Sequence, residues 1–423
     1  MSAAETSGTP QQLPSRAARL AVAALFFVNG AVFANLVPRY PGIKADLGLS
    51  NAALGSAIAA FPLGALVAGL FAATFIGRYR SSRVAAGGVV LLGFSIALVG
   101  VAPAWGVLVA SLFVAGGLDA IVDVAQNAHG LRVQRLYRRS IVNSFHGVWS
   151  IGAVTGGLMG SAAAGLSVPL SAHLMATAVL FGGVALVSYR FLLTGPDDAE
   201  RTVDAQLLAA TDAHIASPGP ACTRLRGVNR SVLNLLGALG ILAACGALVE
   251  DAGASWGALY LRTELGTAAA TAGLAFVALQ TAMTAGRLLG DRVVDRFGQR
   301  RVVRVGGALT AAAMGLALAI PTTATTLAGF ALAGIGVATL VPATMHSADE
   351  LPGLHRGAGL AAVSWMLRVG FLLSPPLVGV VADAVSLRVG LLSVVLAGLG
   401  MLTLGRVLVD RVPAQAQHAA PAQ

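Results

Sequence analysis

Apolar stretches of about twenty residues follow one another along almost the whole chain, separated by short gaps rich in arginine, proline and glycine. A helix needs about 20 such residues to cross a roughly 30 Å hydrocarbon layer. The runs do not alternate polar with apolar positions, as the strands of a membrane barrel would. Their breaks delimit twelve spans, at 19–38, 52–76, 84–103, 105–129, 141–165, 170–193, 231–254, 268–290, 302–320, 323–346, 358–381 and 386–408. The pattern predicts an all-α membrane protein of twelve transmembrane helices in two pseudo-symmetric six-helix bundles, 19–193 and 231–409. The stretch 194–230 contains Gly195-Pro196, Pro218-Gly219-Pro220 and five carboxylates, and reads as a solvated linker. Residues 1–18 and 410–423 are expected to be polar tails.

Composition agrees with this reading. Hydrophobic residues make up 56% of the chain and charged residues only 11%, against about 25% charged in a soluble domain, so a soluble fold could not cover its surface. The 52 glycines suit helices that approach closely in lipid. A net charge of +10 would suggest nucleic acid in a soluble protein, but position rejects that partner. The basic groups cluster in gaps, as with Arg78, Arg80 and Arg83, then Arg132, Arg135, Arg138 and Arg139, then Arg300, Arg301 and Arg304. Arg39, Lys44, Arg262 and Arg388 alone occupy the alternate gaps, and Arg368 lies inside a span. The positive-inside rule then places both termini and the linker in the cytoplasm. The two cysteines, Cys222 and Cys245, have neither metal-ligand nor disulfide spacing. No metal, cofactor or cleavable leader is expected.

Traces of an internal repeat link the halves. Gly69, Thr74, Gly77 and Arg78-Tyr79-Arg80 match Gly290, Asp295, Gly298 and Gln299-Arg300-Arg301 at a shift of 221 residues. Gly30 and Asn35 match Gly246 and Asp251 at 216, and Gly152 and Gly156 match Gly370 and Ser374 at 218. At these residues the sequence resembles the major facilitator superfamily over about Arg19 to Arg411. Asp295-Arg296-Phe297-Gly298-Gln299-Arg300-Arg301 is similar to its signature between the eighth and ninth helices. The first copy carries Thr74 where that alignment calls for an acid. Three further segments resemble a bacterial branch near the fucose permease-like group: Arg39-Tyr40-Pro41-Gly42-Ile43-Lys44 leading to Leu47-Gly48-Leu49-Ser50, Asp123-Val124-Ala125-Gln126-Asn127, and Glu250-Asp251 ahead of Trp256 and Tyr260. The resemblance implies a monomeric carrier of the bacterial inner membrane with a central site between its halves and alternating access. It also implies that Asp123 serves in proton coupling.

The residues themselves leave several roles open. Asp119, Asp123 and Asn127 fall at i, i+4 and i+8 on one face of the fourth helix. Carboxylates one turn apart resist ionising together, which suits a proton carrier, although Asp123 could instead pair with Arg78 or Arg80 in a gate. His146, beside Asn143 at the start of the fifth helix, is a candidate proton relay or a hydrogen-bonded packing residue. The glycines at 152, 156, 157 and 160 resemble an antiporter signature or serve close packing. Arg368 near midplane calls for an acidic partner or an anionic solute. Glu250, Asp251 and Trp256 are candidates for the outer vestibule, with an aromatic belt as the other reading of Trp256 and Tyr260. Asn29, Asn35 and Gln280 could bind solute or join helices. Gly334, Gly336, Pro342, Pro375 and Pro376 permit bends. Asp295, Arg296, Arg300 and Arg301 are expected to form a cytoplasmic latch with Arg78 and Arg80 opposite.

These features favour a proton-coupled transporter of a sugar-like or other polar metabolite, not an enzyme. Efflux of an amphipathic compound and a receptor without transport are the alternatives.

Overall fold

The computed structural model describes residues 12–137, 141–197, 230–351, 354 and 358–408. Most of the expected linker, the C-terminal tail and Cys222 lie outside this set. All regular structure among the described residues is helical. The first half holds α1 (Gln12–Leu36), α2 (Tyr40–Asp46), α3 (Asn51–Gly69), α4 (Ala72–Tyr79), α5 (Ser81–Val99), α6 (Trp105–Tyr137), α7 (Val142–Gly165) and α8 (Leu170–Tyr189). The second holds α9 (Arg230–Asp251), α10 (Gly257–Thr263), α11 (Ala269–Phe297), α12 (Gln299–Ala319), α13 (Thr323–Val337), α14 (Leu340–Asp349), α15 (Ala358–Ala384), α16 (Leu387–Gly390) and α17 (Leu392–Leu404).

Eleven helical segments are long and apolar enough to cross a membrane. The remaining predicted span is α7, whose 24 residues include Asn143, Ser144, His146 and six glycines. These lower its mean hydropathy without shortening it, and it packs between α1 and α11. Three predicted boundaries are corrected. Residues 37–46, read as the end of a span and a loop, continue as a 3-10 turn and α2. The seventh span runs past 254 through a π turn, Ala252–Trp256, into α10. Trp256 and Tyr260 are consequently buried, at 0% and 1% exposure, and form no belt at the headgroups. The tenth span breaks at Ala338–Thr339, two residues after the glycine pair.

Helix pairing repeats between halves. α1 packs on α7 as α9 packs on α15, α3 on α6 as α11 on α13, α5 on α6 as α12 on α13, and α5 on α8 as α12 on α17. The geometry also corrects the register read from sequence. α4 ends in Arg80 at φ 73°, ψ 148°, immediately before α5, and α11 ends in Gly298 at φ 81°, ψ 145°, immediately before α12. The equivalent residues are therefore Arg80 and Gly298, a shift of 218 that agrees with the match of α7 to α15. Gly77, not Thr74, stands where the second half has Asp295. A left-handed backbone is free for glycine but costs another residue about 1–3 kcal/mol, so Arg80 is strained where its counterpart is not.

The two ends of the bundle differ. At the arginine-poor end the halves are pinned together: α3 packs on α15 and α7 on α11. Gly55 lies on the Pro375 carbonyl, Gly379 on the Asn51 carbonyl and Gly157 on Phe276, approaches that leave no room for a Cβ. The Asp383 carboxylate accepts the backbone N–H groups of Asn51 (2.8 Å) and Ala52 (2.7 Å), so a residue of α15 caps α3 of the other half. Arg39, Arg262 and Arg388 each donate to a backbone carbonyl there, of Val168, Thr267 and Ala319.

At the arginine-rich end the first half is fastened to itself. The Leu193 N–H donates to His129 Nε2 (3.1 Å), which leaves the proton on Nδ1 to be donated to Ser81 Oγ (2.9 Å). Ser81 Oγ donates in turn to Asp197 (2.6 Å), which also accepts the Ser81 N–H and pairs with the buried Arg132 at 2.8 Å. Burial disfavours the Asp197 anion, but the two Ser81 hydrogen bonds and Arg132 outweigh it and hold this carboxyl below the usual carboxylate range.

Candidate functional site

A cavity of about 360 Å³ lies between the halves, within the size range of small-molecule sites. Its position follows from the helix order: α1, α3, α6 and α7 supply one wall, and α9, the π turn, α11 and α15 the other. The π turn widens the helix beside the site, so Asp251, Ala254 and Ser255 all reach the lining. Pro62 inside α3 also lines it.

Six residues singled out in the sequence converge on this cavity: Asn29, Asp119, Glu250, Asp251, Gln280 and Arg368. Asn29 and Asp119 line the same wall, and Arg368 lies close enough to act electrostatically on both Asp119 and Asp123. Asp251 is buried and accepts from Ser255 Oγ at 2.7 Å. Gln280 is buried in the cavity wall, and its amide nitrogen has no hydrogen-bond partner among the described residues.

A second set forms a polar path leading away from the cavity toward the arginine-rich end. The Asn127 amide donates to the Asp123 carboxylate (3.0 Å) and to the Asp123 carbonyl (2.9 Å), one turn back. His146 Nε2 donates to Asn127 Oδ1 at 3.1 Å, and its ring sits edge-on to Phe26. Asp123, His146 and Arg368 are all exposed. Asn143, also exposed, stands at the start of α7, near the far end of this path, and makes no hydrogen bond among the described residues.

Other candidates sit elsewhere. Asn35 is fully buried and bridges helices, donating to Ala31 O (2.8 Å) and meeting His173 at 3.0 Å. Trp256 lies behind the wall with its ring against Gly55. Gly152, Gly156 and Gly160 meet the carbonyls of Phe27, Ala31 and Asn35, which makes them the seam between α1 and α7. Asp295 and Arg296 are exposed, and Asp295 forms no ion pair among the described residues. Arg296 lies over Phe297 and Arg78 over Tyr79, at 5.5 and 5.7 Å from the ring centroids. Arg300 donates to Leu408 O (3.2 Å). Arg301 borders a separate apolar groove between α11 and α13. Among the described residues, neither Arg78 nor Arg80 pairs with Asp123.

Two groups of residues at or beside the cavity escape the sequence reading. Arg287 pairs with Glu250 at 3.5 Å. It stands seven residues after Gln280, hence on the same helix face, a spacing that would have found it. Phe33, Tyr40, Phe61, Trp149, Phe276 and Phe371 give the cavity aromatic walls. In an apolar chain, no periodicity separates these rings from those that fill the core.

The model of the family described as Major Facilitator Superfamily matches residues 22–249 and 239–423. Membrane protein MosC of Rhizobium meliloti is 30% identical over 391 residues, covering 92% of this chain and 90% of its own. An uncharacterised transporter of Sinorhizobium fredii, y4wD, is 28% identical, covering 87% of this chain and 92% of its own. Among solved structures, the nucleoside transporter NupG superposes with a TM-score of 0.65 at 14% identity, over 92% of this chain and 97% of its own. A bacterial homologue of the human lysosomal transporter Spinster, inward-facing and unoccupied, gives 0.69 at 15% identity, over 96% and 100%. With the family model spanning nearly the whole chain and the helix pairings duplicated between two bundles, this multi-pass membrane protein belongs to the major facilitator superfamily of transporters.

Proposed function

We propose that the chain is a proton-coupled carrier of a small polar solute, working by alternating access in a bacterial inner membrane. The observation that carries this reading is the continuous polar route from the cavity along Asp119, Asp123, Asn127 and His146, faced by Arg368 from the opposite half. A carboxyl that exchanges a neighbouring cation for a proton is the minimal coupling device: the proton releases Arg368 to the solute, and its departure recaptures Arg368. Amides and carboxyls beside six aromatic rings suit a hydroxylated solute with a flat face, such as a sugar or nucleoside. The structural neighbour NupG is itself a nucleoside transporter. Of the glycines that would favour efflux, Gly152, Gly156 and Gly160 are engaged in the seam between α1 and α7 and Gly157 packs on Phe276 of α11, which leaves uptake as the preferred direction.

The positive-inside rule places the arginine-rich end and both termini in the cytoplasm. With the halves pinned at the other end, the structure then corresponds to an inward-open state, the state named for the unoccupied Spinster homologue. In that state a latch of Asp295, Arg296, Arg300 and Arg301 is released, and it would engage only when the cytoplasmic side closes.

Proteoliposomes test the proposal. An acid-outside pH gradient should drive accumulation of at least one labelled solute from a panel of sugars and nucleosides. Accumulation that persists unchanged after the gradient is collapsed with an uncoupler would reject proton coupling. Binding without any uptake across the whole panel would favour a receptor.

A further inference from the structure

Away from the central cavity, a groove of about 660 Å³ lies on the first half at the arginine-rich end, between α4 and α6. It lies past the break at Leu70–Phe71 that separates α4 from α3. Its apolar wall includes Val124 and Leu131, respectively 40% and 43% exposed, with Ile76 opposite. Arg80, Arg132 and Arg135 line the groove against one carboxylate, Asp197, which is already held by Arg132 and Ser81. Arg80 and Arg135 have no acidic partner among the described residues. Arg80 is the residue that keeps a left-handed backbone where the second half has Gly298. A side chain held at such cost points to a task for its guanidinium.

We propose that this groove binds an anionic phospholipid, with its phosphate on Arg80 and Arg135 and its acyl chains along Ile76, Val124 and Leu131. The ligand class follows from the layout. The basic rim lies at the α4–α5 turn, where a membrane-spanning segment begins, and the apolar wall runs from it along α6. Phosphate oxygens match paired guanidinium groups, and basic pockets at this depth recruit anionic headgroups. A free anion would find the guanidiniums but have no use for the apolar wall.

Purified protein in detergent is melted with phosphatidylglycerol, with phosphatidylcholine and with inorganic phosphate. Phosphatidylglycerol alone should raise the melting temperature, since a ligand that binds the native state stabilises it. In native mass spectrometry, Arg80→Gly with Arg135→Gln should weaken phosphatidylglycerol binding about tenfold or more, while Arg83→Gln, outside the groove, should leave it unchanged. Arg80→Gly alone should melt higher than the parent in phosphatidylcholine, because it removes the backbone strain, yet gain less from phosphatidylglycerol. Arg135→Gln alone tests the site should the double variant fail to fold. An equal phosphatidylglycerol effect in parent and groove variants would overturn the proposal, as would an equal loss in Arg83→Gln. Stabilisation by inorganic phosphate matching that by the lipid would replace it with a simple anion site.

Discussion

Glu250, in the cavity wall, and Arg287 face each other at 3.5 Å, and both side chains are partly exposed. If the pair mainly positions Glu250 for solute, Arg287→Gln should raise the KM for uptake several-fold with little change in maximal rate. The charge-reversed double variant Glu250→Arg with Arg287→Glu should recover part of that loss. For Asp119 and Asp123, the expectation is sharper. Asp123→Asn should abolish gradient-driven accumulation and spare solute exchange, because exchange needs no net proton release. Asp119→Asn, in the cavity wall, should also impair binding, measured by ligand-induced thermal shift. Asp197 gives a different test. Its folded-state pKa is depressed, so its stabilisation is present above the unfolded carboxylate value of about 4 and fades as pH falls through the lower folded value. Asp197→Asn should therefore lower the melting temperature at pH 7, with the difference from the parent narrowing toward pH 3. The central charges were legible in the sequence because a charge inside an apolar run is conspicuous. The aromatic walls and Arg287 were not, since rings are ordinary in apolar helices and Arg287 sits where a span was expected to end.

Helices were legible wherever an apolar run has the length of a membrane, and that covers nearly all of them. Departures from regularity were legible only in part. The π turn at Ala252–Trp256 leaves no mark in a hydropathy pattern, whereas the break at Ala338–Thr339 falls between Gly336 and Pro342, residues read from the sequence as permitting a bend. The repeat illustrates the same limit. Matching letters aligned Gly77 with Gly298, whereas the backbone aligns Arg80 with Gly298, because the left-handed turn and not the residue type is what duplicates. The glycine seam between α1 and α7 yields a prediction at this scale. A Cβ at Gly156 would collide with the Ala31 carbonyl, which belongs to the main chain and cannot swing aside. Gly156→Leu should cost about 1–3 kcal/mol as overpacking, or more where the helices must part, read as a lower melting temperature. Gly147, with open space where a Cβ would project, should accept Ala without loss.

In the alternating-access cycle proposed above, the balance between access states rests on what each end of the bundle gains by closing. At the arginine-poor end, Asp383 joins the halves through the N–H groups of Asn51 and Ala52. Hydrogen bonds to a charged group are worth about 1.5–3 kcal/mol, so Asp383→Ala should shift the equilibrium toward opening at that end by about tenfold to a hundredfold. Distances between spin labels placed across α3 and α15 would report it, and an unchanged distribution would show that the glycine contacts alone hold the gate. Asp295→Asn should act in the opposite sense, reducing the population closed at the arginine-rich end, with labels across α4 and α15 as the readout.

The Asp383 cap also divides the mutational load of the gate unequally. Its partners are backbone amides, present whatever side chains stand at 51 and 52, so drift on the α3 side leaves the fastening intact unless proline arrives. On the α15 side a single codon holds the whole interaction. Saturation mutagenesis under selection for transport should therefore find positions 51 and 52 permissive to nearly everything but proline and position 383 confined to aspartate, a one-sided tolerance that a salt bridge between two side chains would not produce.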